Sequence, residues 1–176
     1  REIMTDHLKE EIQGGVAILT MNRPDRRNAM SNEMLIAMLE SLSRLAADDD
    51  IGCVVLTGAG GAFCAGGDVK AMADGEEFDG DTLEAKTQQL RAVMETSRLL
   101  HEMPKPTIAM VGGAAAGAGL SLALACDMRV AASSAKFTTA FAKVGYSGDF
   151  GGSYYLTHLV GTAKARELYY TAALVM

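Results

Sequence analysis

The sequence is poor in the residues that hold metals and make crosslinks. Its three histidines, His7, His101 and His158, stand alone, with no HxH or HExxH spacing, so no metal site is expected. Its three cysteines, Cys53, Cys64 and Cys126, are odd in number and form no CxxC pair. Each lies among apolar or small residues, which reads as a reduced core thiol of an intracellular, cytoplasmic protein. Positive charge is also scarce: 16 Lys and Arg face 22 Asp and Glu, a net charge of -6. Nucleic acid and anionic membrane surfaces need clustered cations, and neither is expected as a partner. The one basic cluster, "RPDRR" at 23–27, could meet a small anion but is too short for a duplex. The opening "REIMTDHLKEEIQ" is polar and acidic, so it is not expected to act as a signal peptide.

What is present is a chain of 176 residues, 49% of them hydrophobic, long enough to bury a sizeable core as one domain over 1–176. "HLKEEIQ", "GG" and "VAILTMN" read as strand, turn and strand, a hairpin. After the loop "RPDRRNAM", Ser31 caps a helix with Met34, Leu35, Met38, Leu39, Leu42 and Leu45 on one stripe. "CVVLT" (53–57) is a wholly apolar strand of the parallel-sheet kind, and "GAGGAFCAGGD" reads as the glycine-rich loop leaving it. The acidic "DGEEFDGD" (74–81) reads as a surface loop. Residues 82–102 read as a helix with Leu90, Val93, Met94 and Leu100 inward, stopped by "PKP". "TIAMV" (107–111) and "RVAA" (129–132) are further strands, and 162–173 a last helix. Short apolar strands alternating with amphipathic helices make an α/β fold. The sequence ends at "AALVM" without a helix cap, which suggests a missing C-terminal part.

Residues 107–126 form an uncharged run of 20, long enough for a membrane span. Eleven of them are Gly or Ala, however, and Gly112–Gly113 divides the run into a strand and a helix, so no span is expected. Neither GxxxxGK[ST] nor GxGxxG is completed there. "GLSLA" (119–123) approaches a nucleophile elbow, with Asp149 and His158 following in hydrolase order. Ser121 nonetheless falls ten residues past Val111, inside the helix and away from the turn where such a serine must sit. The remaining reading is electrostatic. The N–H groups opening this helix near Gly117–Gly119, and those of "FCAGGD" (63–68), are free to meet developing negative charge.

Five stretches in order, "NRPDRRNAM", "GAFCAGGDVKAM", "KPTIAMVGGAAAGAGLSLALACDMRVAA", "AKFTTAFAKVG" and "GGSYYLTHLVGTAKAREL", resemble the crotonase (enoyl-CoA hydratase/isomerase) superfamily over residues 8–173. The resemblance implies a spiral of ββα units with a mostly parallel buried sheet, surrounding helices, and C-terminal helices beyond Met176. It implies a homotrimer or dimer of trimers, and an acyl-CoA thioester substrate. Coenzyme A would enter as part of the substrate, with no permanently bound cofactor. An oxyanion hole would be formed by the N–H groups of Gly67 and Ala118. Substrate contacts would fall on Arg27, Ala29, Ala65, Gly66, Asp68, Val69, Lys70, Gly117, Ser121 and Phe141, with Arg27 and Lys70 near the CoA phosphates and pantetheine.

Family hydratases hold water with two glutamates, and here those positions are Ser121 and Phe141. Asp149, in "GYSGDFGG", falls where family isomerases and an aryl-CoA dehalogenase carry their working carboxylate. The stretch is most similar to the enoyl-CoA isomerases of phenylacetate-type degradation. The expectation is a double-bond shift with Asp149 as acid/base. A one-carboxylate hydratase, an aspartate nucleophile in dehalogenation or hydrolysis, and a non-catalytic CoA-binding protein stand as alternatives. Phe141 replaces the dehalogenase tryptophan.

Overall fold

The computed structural model describes residues 5–74 and 82–176. The acidic loop expected at 74–81 falls outside the described residues, save Asp74. Strands β1 (Leu8–Gln13) and β2 (Val16–Met21) form the hairpin, turning at Gly14–Gly15. Strand β2 then pairs in parallel with β3 (Cys53–Gly58), β3 with β5 (Thr107–Val111), and β5 with β7 (Met128–Ala131). The resulting sheet runs β1-β2-β3-β5-β7.

One face of this sheet is the core. Ala17, Leu19 and Met21 alternate inward on β2, joined by Val54, Leu56, Ala109 and Val111, all fully buried. Helix α1 (Asn32–Ala47) meets them with Met34, Met38, Leu42 and Leu45. Its N-terminus is closed by the Ser31 hydroxyl accepting from Met34 N–H at 3.2 Å. Helix α3 (Leu83–Glu102), capped by Thr82, lies beside α1 and buries Val93 and Leu100, with Leu90 and Met94 packed on the core from its flank.

A second, three-stranded parallel sheet was not legible as strands. It consists of β4 (Ala62–Cys64), β6 (Ala114–Ala116) and β8 (Lys136–Thr138), in the order β4-β6-β8. Three residues are too few to show a period, and β4 and β6 lie inside stretches read as glycine-rich turns. The pattern becomes regular in space. After the β1–β2 hairpin and α1, each turn of the chain sends one strand to the large sheet and the next to the small one, then returns through a helix. This is the expected spiral of ββα units. Helix α2 (Val69–Asp74) follows β4, and α4 (Ala118–Ala125) follows β6. Helices α5 (Gly152–Val160) and α6 (Thr162–Thr171) pack on each other, and α5 packs on α4. The last helix thus ends two residues earlier than its sequence pattern suggests.

The uncharged run 107–126 is accordingly β5, β6 and α4, and among the described residues no helix is long and apolar enough to cross a membrane. Cys64 and Cys126 are buried and Cys53 is half-buried, all three as free thiols. Burial pushes the Cys64 and Cys126 thiols up to about 12.

Candidate active site

The site is built where the small sheet ends. Because β4 and β6 are parallel neighbours, the turns leaving them emerge side by side. Gly66 (φ +98) makes their contact possible: a β-carbon there would stand 2.9 Å from the Ala116 carbonyl oxygen and 3.4 Å from the Ala118 nitrogen. Ala118 is the first residue of α4, so its N–H has no carbonyl a turn earlier in the helix to bond. The Ala65–Gly67 turn is tied on its other side. Ala65 N–H donates to the Arg27 carbonyl at 3.0 Å, and Met30 N–H to the Gly66 carbonyl at 2.8 Å.

Asn28 underlies that tie. It is fully buried with φ +56, and its side chain is satisfied on both ends. Its Nδ2 donates to the Ala59 and Ala62 carbonyls at 2.8 and 2.9 Å, while its Oδ1 accepts from Arg23 N–H at 2.9 Å. The Cys64 thiol donates to its carbonyl at 3.1 Å. Asn28→Ala takes the side-chain partner from one buried and two part-buried backbone groups and forces alanine into left-handed backbone. It is expected to lower the unfolding free energy by about 2–4 kcal/mol in a denaturant titration.

The two turns open into a cavity of about 650 Å³. Gly66, Gly67, Gly117 and Ala118 line one part of it, and Phe141 and Asp149 face the same space. An apolar wall comes from Val69 and Met72 of α2, Leu90 of α3 and Val144. Lys86 and Lys143 are the cations of this lining among the described residues, and neither stood out in the sequence. Lys143 lies inside the matched stretch "AKFTTAFAKVG", which was its one available signal.

Asp149 sits in the irregular segment before α5. Its Oδ1 is buried with no hydrogen-bond partner among the described residues. Burial pushes its carboxyl up to about 6, because the charged form has lost water and gained no donor. Beside it, burial and then the Asp149 charge push the Tyr169 phenol up to about 12.

Ala65, Gly66, Gly67, Val69, Gly117, Ala118, Phe141 and Asp149 therefore share one cavity. The other expected contacts lie off its lining. Arg27 and Lys70 are exposed on the surface. Ala29 is buried, with its carbonyl accepting from Arg23 Nη1 at 2.7 Å. Asp68 pairs with Arg23 at 3.0 Å and accepts from Ala71 N–H at 3.3 Å, capping α2. Burial alone would raise its carboxyl, but the Ala71 N–H and the Arg23 guanidinium outweigh this and hold it below its ordinary value. Ser121 is buried in α4, donating to the Gly117 carbonyl at 3.3 Å. His158 is exposed on α5 with its Nδ1 on the Tyr154 carbonyl, so the hydrolase order of Ser121, Asp149 and His158 is not carried by His158 hydrogen bonds.

Two glycine-containing turns and a buried carboxyl on one cavity are a combination suited to moving a proton next to a carbonyl. Residues 11–176 match the family described as enoyl-CoA hydratase/isomerase, and the chain belongs to it. It is 39% identical over 165 residues to the 1,2-epoxyphenylacetyl-CoA isomerase of Escherichia coli (strain K12), covering 94% of this chain and 62% of that protein. It is 36% identical over 162 residues to 4-chlorobenzoyl coenzyme A dehalogenase-1 of an Arthrobacter species, covering 92% and 58%. The crystal structure of an enoyl-CoA hydratase from Polaromonas sp. JS666 superposes with a TM-score of 0.87 at 38% identity, over 96% of this chain and 64% of that one. The chain thus spans about three fifths of the length of these curated relatives.

Proposed function

We propose that this protein is an acyl-CoA thioester enzyme that moves a carbon–carbon double bond, an enoyl-CoA isomerase. In this reading the thioester oxygen accepts from the N–H groups of Gly67 and Ala118. Negative charge developing on that oxygen acidifies the adjacent carbon. Asp149 takes a proton from C2 of a 3-enoyl thioester, or from C4 of a 2-enoyl thioester. The electron pair is held as an enolate (extended into a dienolate), and Asp149 returns the proton to the other carbon of the pair. The observation that carries the reading is the desolvated Asp149 carboxyl in the same cavity as the two turns. A carboxyl near 6 is divided between acid and base forms close to neutral pH, which suits taking and returning one proton. No bound cofactor enters this scheme, and coenzyme A is part of the substrate. A homotrimer or a dimer of trimers is the assembly we propose with it.

Similarity to a dehalogenase favours a second reading, in which Asp149 attacks carbon and forms a covalent intermediate. Phe141 in place of the dehalogenase tryptophan weighs against it. The test is incubation of the protein with matched 2-enoyl- and 3-enoyl-CoA thioesters in D2O, followed by NMR. Interconversion with deuterium entering C2 or C4 is the expected result. Accumulation of a 3-hydroxyacyl thioester would make the enzyme a hydratase instead, and a trapped aspartyl adduct would favour the nucleophilic route.

A further inference from the structure

Asp149 lies in a backbone segment with little regular structure to hold it. Gly148 (φ +116), Phe150 (φ +47) and Gly151 (φ +71) all take left-handed conformations around it. The support comes from α6. Tyr169, half-buried there, stacks on Phe141 with ring planes 5° apart and centroids 6.1 Å apart. From that position it occupies the room left by two missing side chains. A β-carbon on Gly148 would stand 3.0 Å from Tyr169 Cε1 and 3.6 Å from its hydroxyl. A β-carbon on Gly152 would stand 2.6 Å from the same hydroxyl and 2.2 Å from Ser121 Oγ. One tyrosine side chain thus lies against Gly148 with its ring edge, against Gly152 with its hydroxyl, and against the Phe141 wall of the cavity.

We propose that Tyr169 is a positioning residue of this site: its ring props the turn at Gly148 and walls the Asp149 carboxyl from water. The role rests on the proton-transfer function proposed for Asp149 where activity is concerned, but the placement of the carboxyl can be read without turnover. The titratable and charged groups facing this carboxyl are few among the described residues. Tyr169 faces it from α6, and Lys86, Lys143 and Tyr146 share its cavity. Helix α4 presents the neutral Ser121 hydroxyl beside Gly152.

The experiment titrates Asp149 directly by carboxyl 13C NMR in wild type, Y169F and Y169L, with D149N assigning the resonance, and measures kcat and KM for an enoyl-CoA thioester across pH. Y169F keeps the ring, and its Asp149 titration is expected to stay with wild type. Y169L opens the wall, and the midpoint is expected to fall by about one pH unit or more, toward the ordinary carboxylate value near 4. Its kcat at neutral pH is expected to drop about tenfold, with KM changed far less. Y169M keeps most of the volume without the aromatic plane and supplies the same comparison should Y169L not fold. A leucine or methionine variant that titrates with wild type would overturn the proposal. So would a Y169F variant shifted as far as Y169L, since the hydroxyl would then act in place of the ring. If the titration moves as expected but D149N retains full turnover, the positioning role stands and the assigned chemistry of Asp149 falls.

Discussion

Asp149→Asn is expected to lower kcat for double-bond migration by about 10²–10⁴-fold while leaving thioester affinity nearly unchanged. Amide and carboxyl have nearly the same shape, so the cavity keeps its walls and loses the group that takes the proton. Wild-type activity should rise with pH through about 6, as the carboxyl becomes a base, and the variant should lack that limb. The same substitution is expected to raise stability. The folded-state carboxyl is held above its unfolded value near 4, so the native state keeps its proton longer than the unfolded chain does. Wild-type stability therefore falls as pH rises from about 4 to about 6, and the loss is complete above that. The gap of roughly two pH units corresponds to about 2–3 kcal/mol. Denaturant titrations of wild type and D149N should agree near pH 4 and separate by up to that amount at pH 8, with the variant more stable. A variant that keeps full rate would remove Asp149 from the mechanism.

Ala118→Pro is expected to cost about 10²–10³-fold in kcat, or roughly 3–4 kcal/mol of transition-state stabilisation. A backbone N–H cannot be deleted by changing a side chain, except to proline. Ala118 is a position where proline is otherwise tolerated, because the first residue of a helix needs no N–H for the helix itself. Gly117 before it already lies outside the helical region, at φ 51 and ψ -127, so the usual proline clash with a helical predecessor does not arise. The melting temperature should change little, and Ala118→Gly, which keeps the N–H, should keep the rate. Equal rates for the proline and glycine variants would exclude this N–H from charge stabilisation.

The large sheet was legible because its strands obey simple rules. β2 alternates inward and outward, "CVVLT" is continuously apolar, and Ser31 and the prolines at 104 and 106 mark helix ends. The small sheet was hidden, since β4 and β6 are only three residues each, Ala-Phe-Cys and Ala-Ala-Ala, set among the glycines of turns. Within the site, Gly67, Ala118, Phe141 and Asp149 were legible through linked stretches. What they share, one cavity, depends on pairing across some fifty residues that no local pattern records. The pairing of Arg23 with Asp68 was not legible, because it joins two loops 45 residues apart. Tyr169 was missed for a related reason: it lies 20 residues past Asp149 on another helix, and nothing nearby announces a ring aimed at glycines.

The small sheet also bears on how the protein comes to be active. Its strands are drawn from residues 62–64, 114–116 and 136–138, and each pairing closes a long loop of intervening chain. Closing such loops costs chain entropy before any contact rewards it, and non-local parallel pairing is intrinsically slow. On a ribosome, the turn carrying Gly67 emerges some fifty residues ahead of the one carrying Ala118; Arg27 and Met30 can hold one side of it, but its other side waits until β6 is made. The helices and the β1–β2 hairpin have only local contacts to wait for. Refolding followed by circular dichroism should therefore run ahead of the return of turnover, the interval marking the joining of β4 to β6.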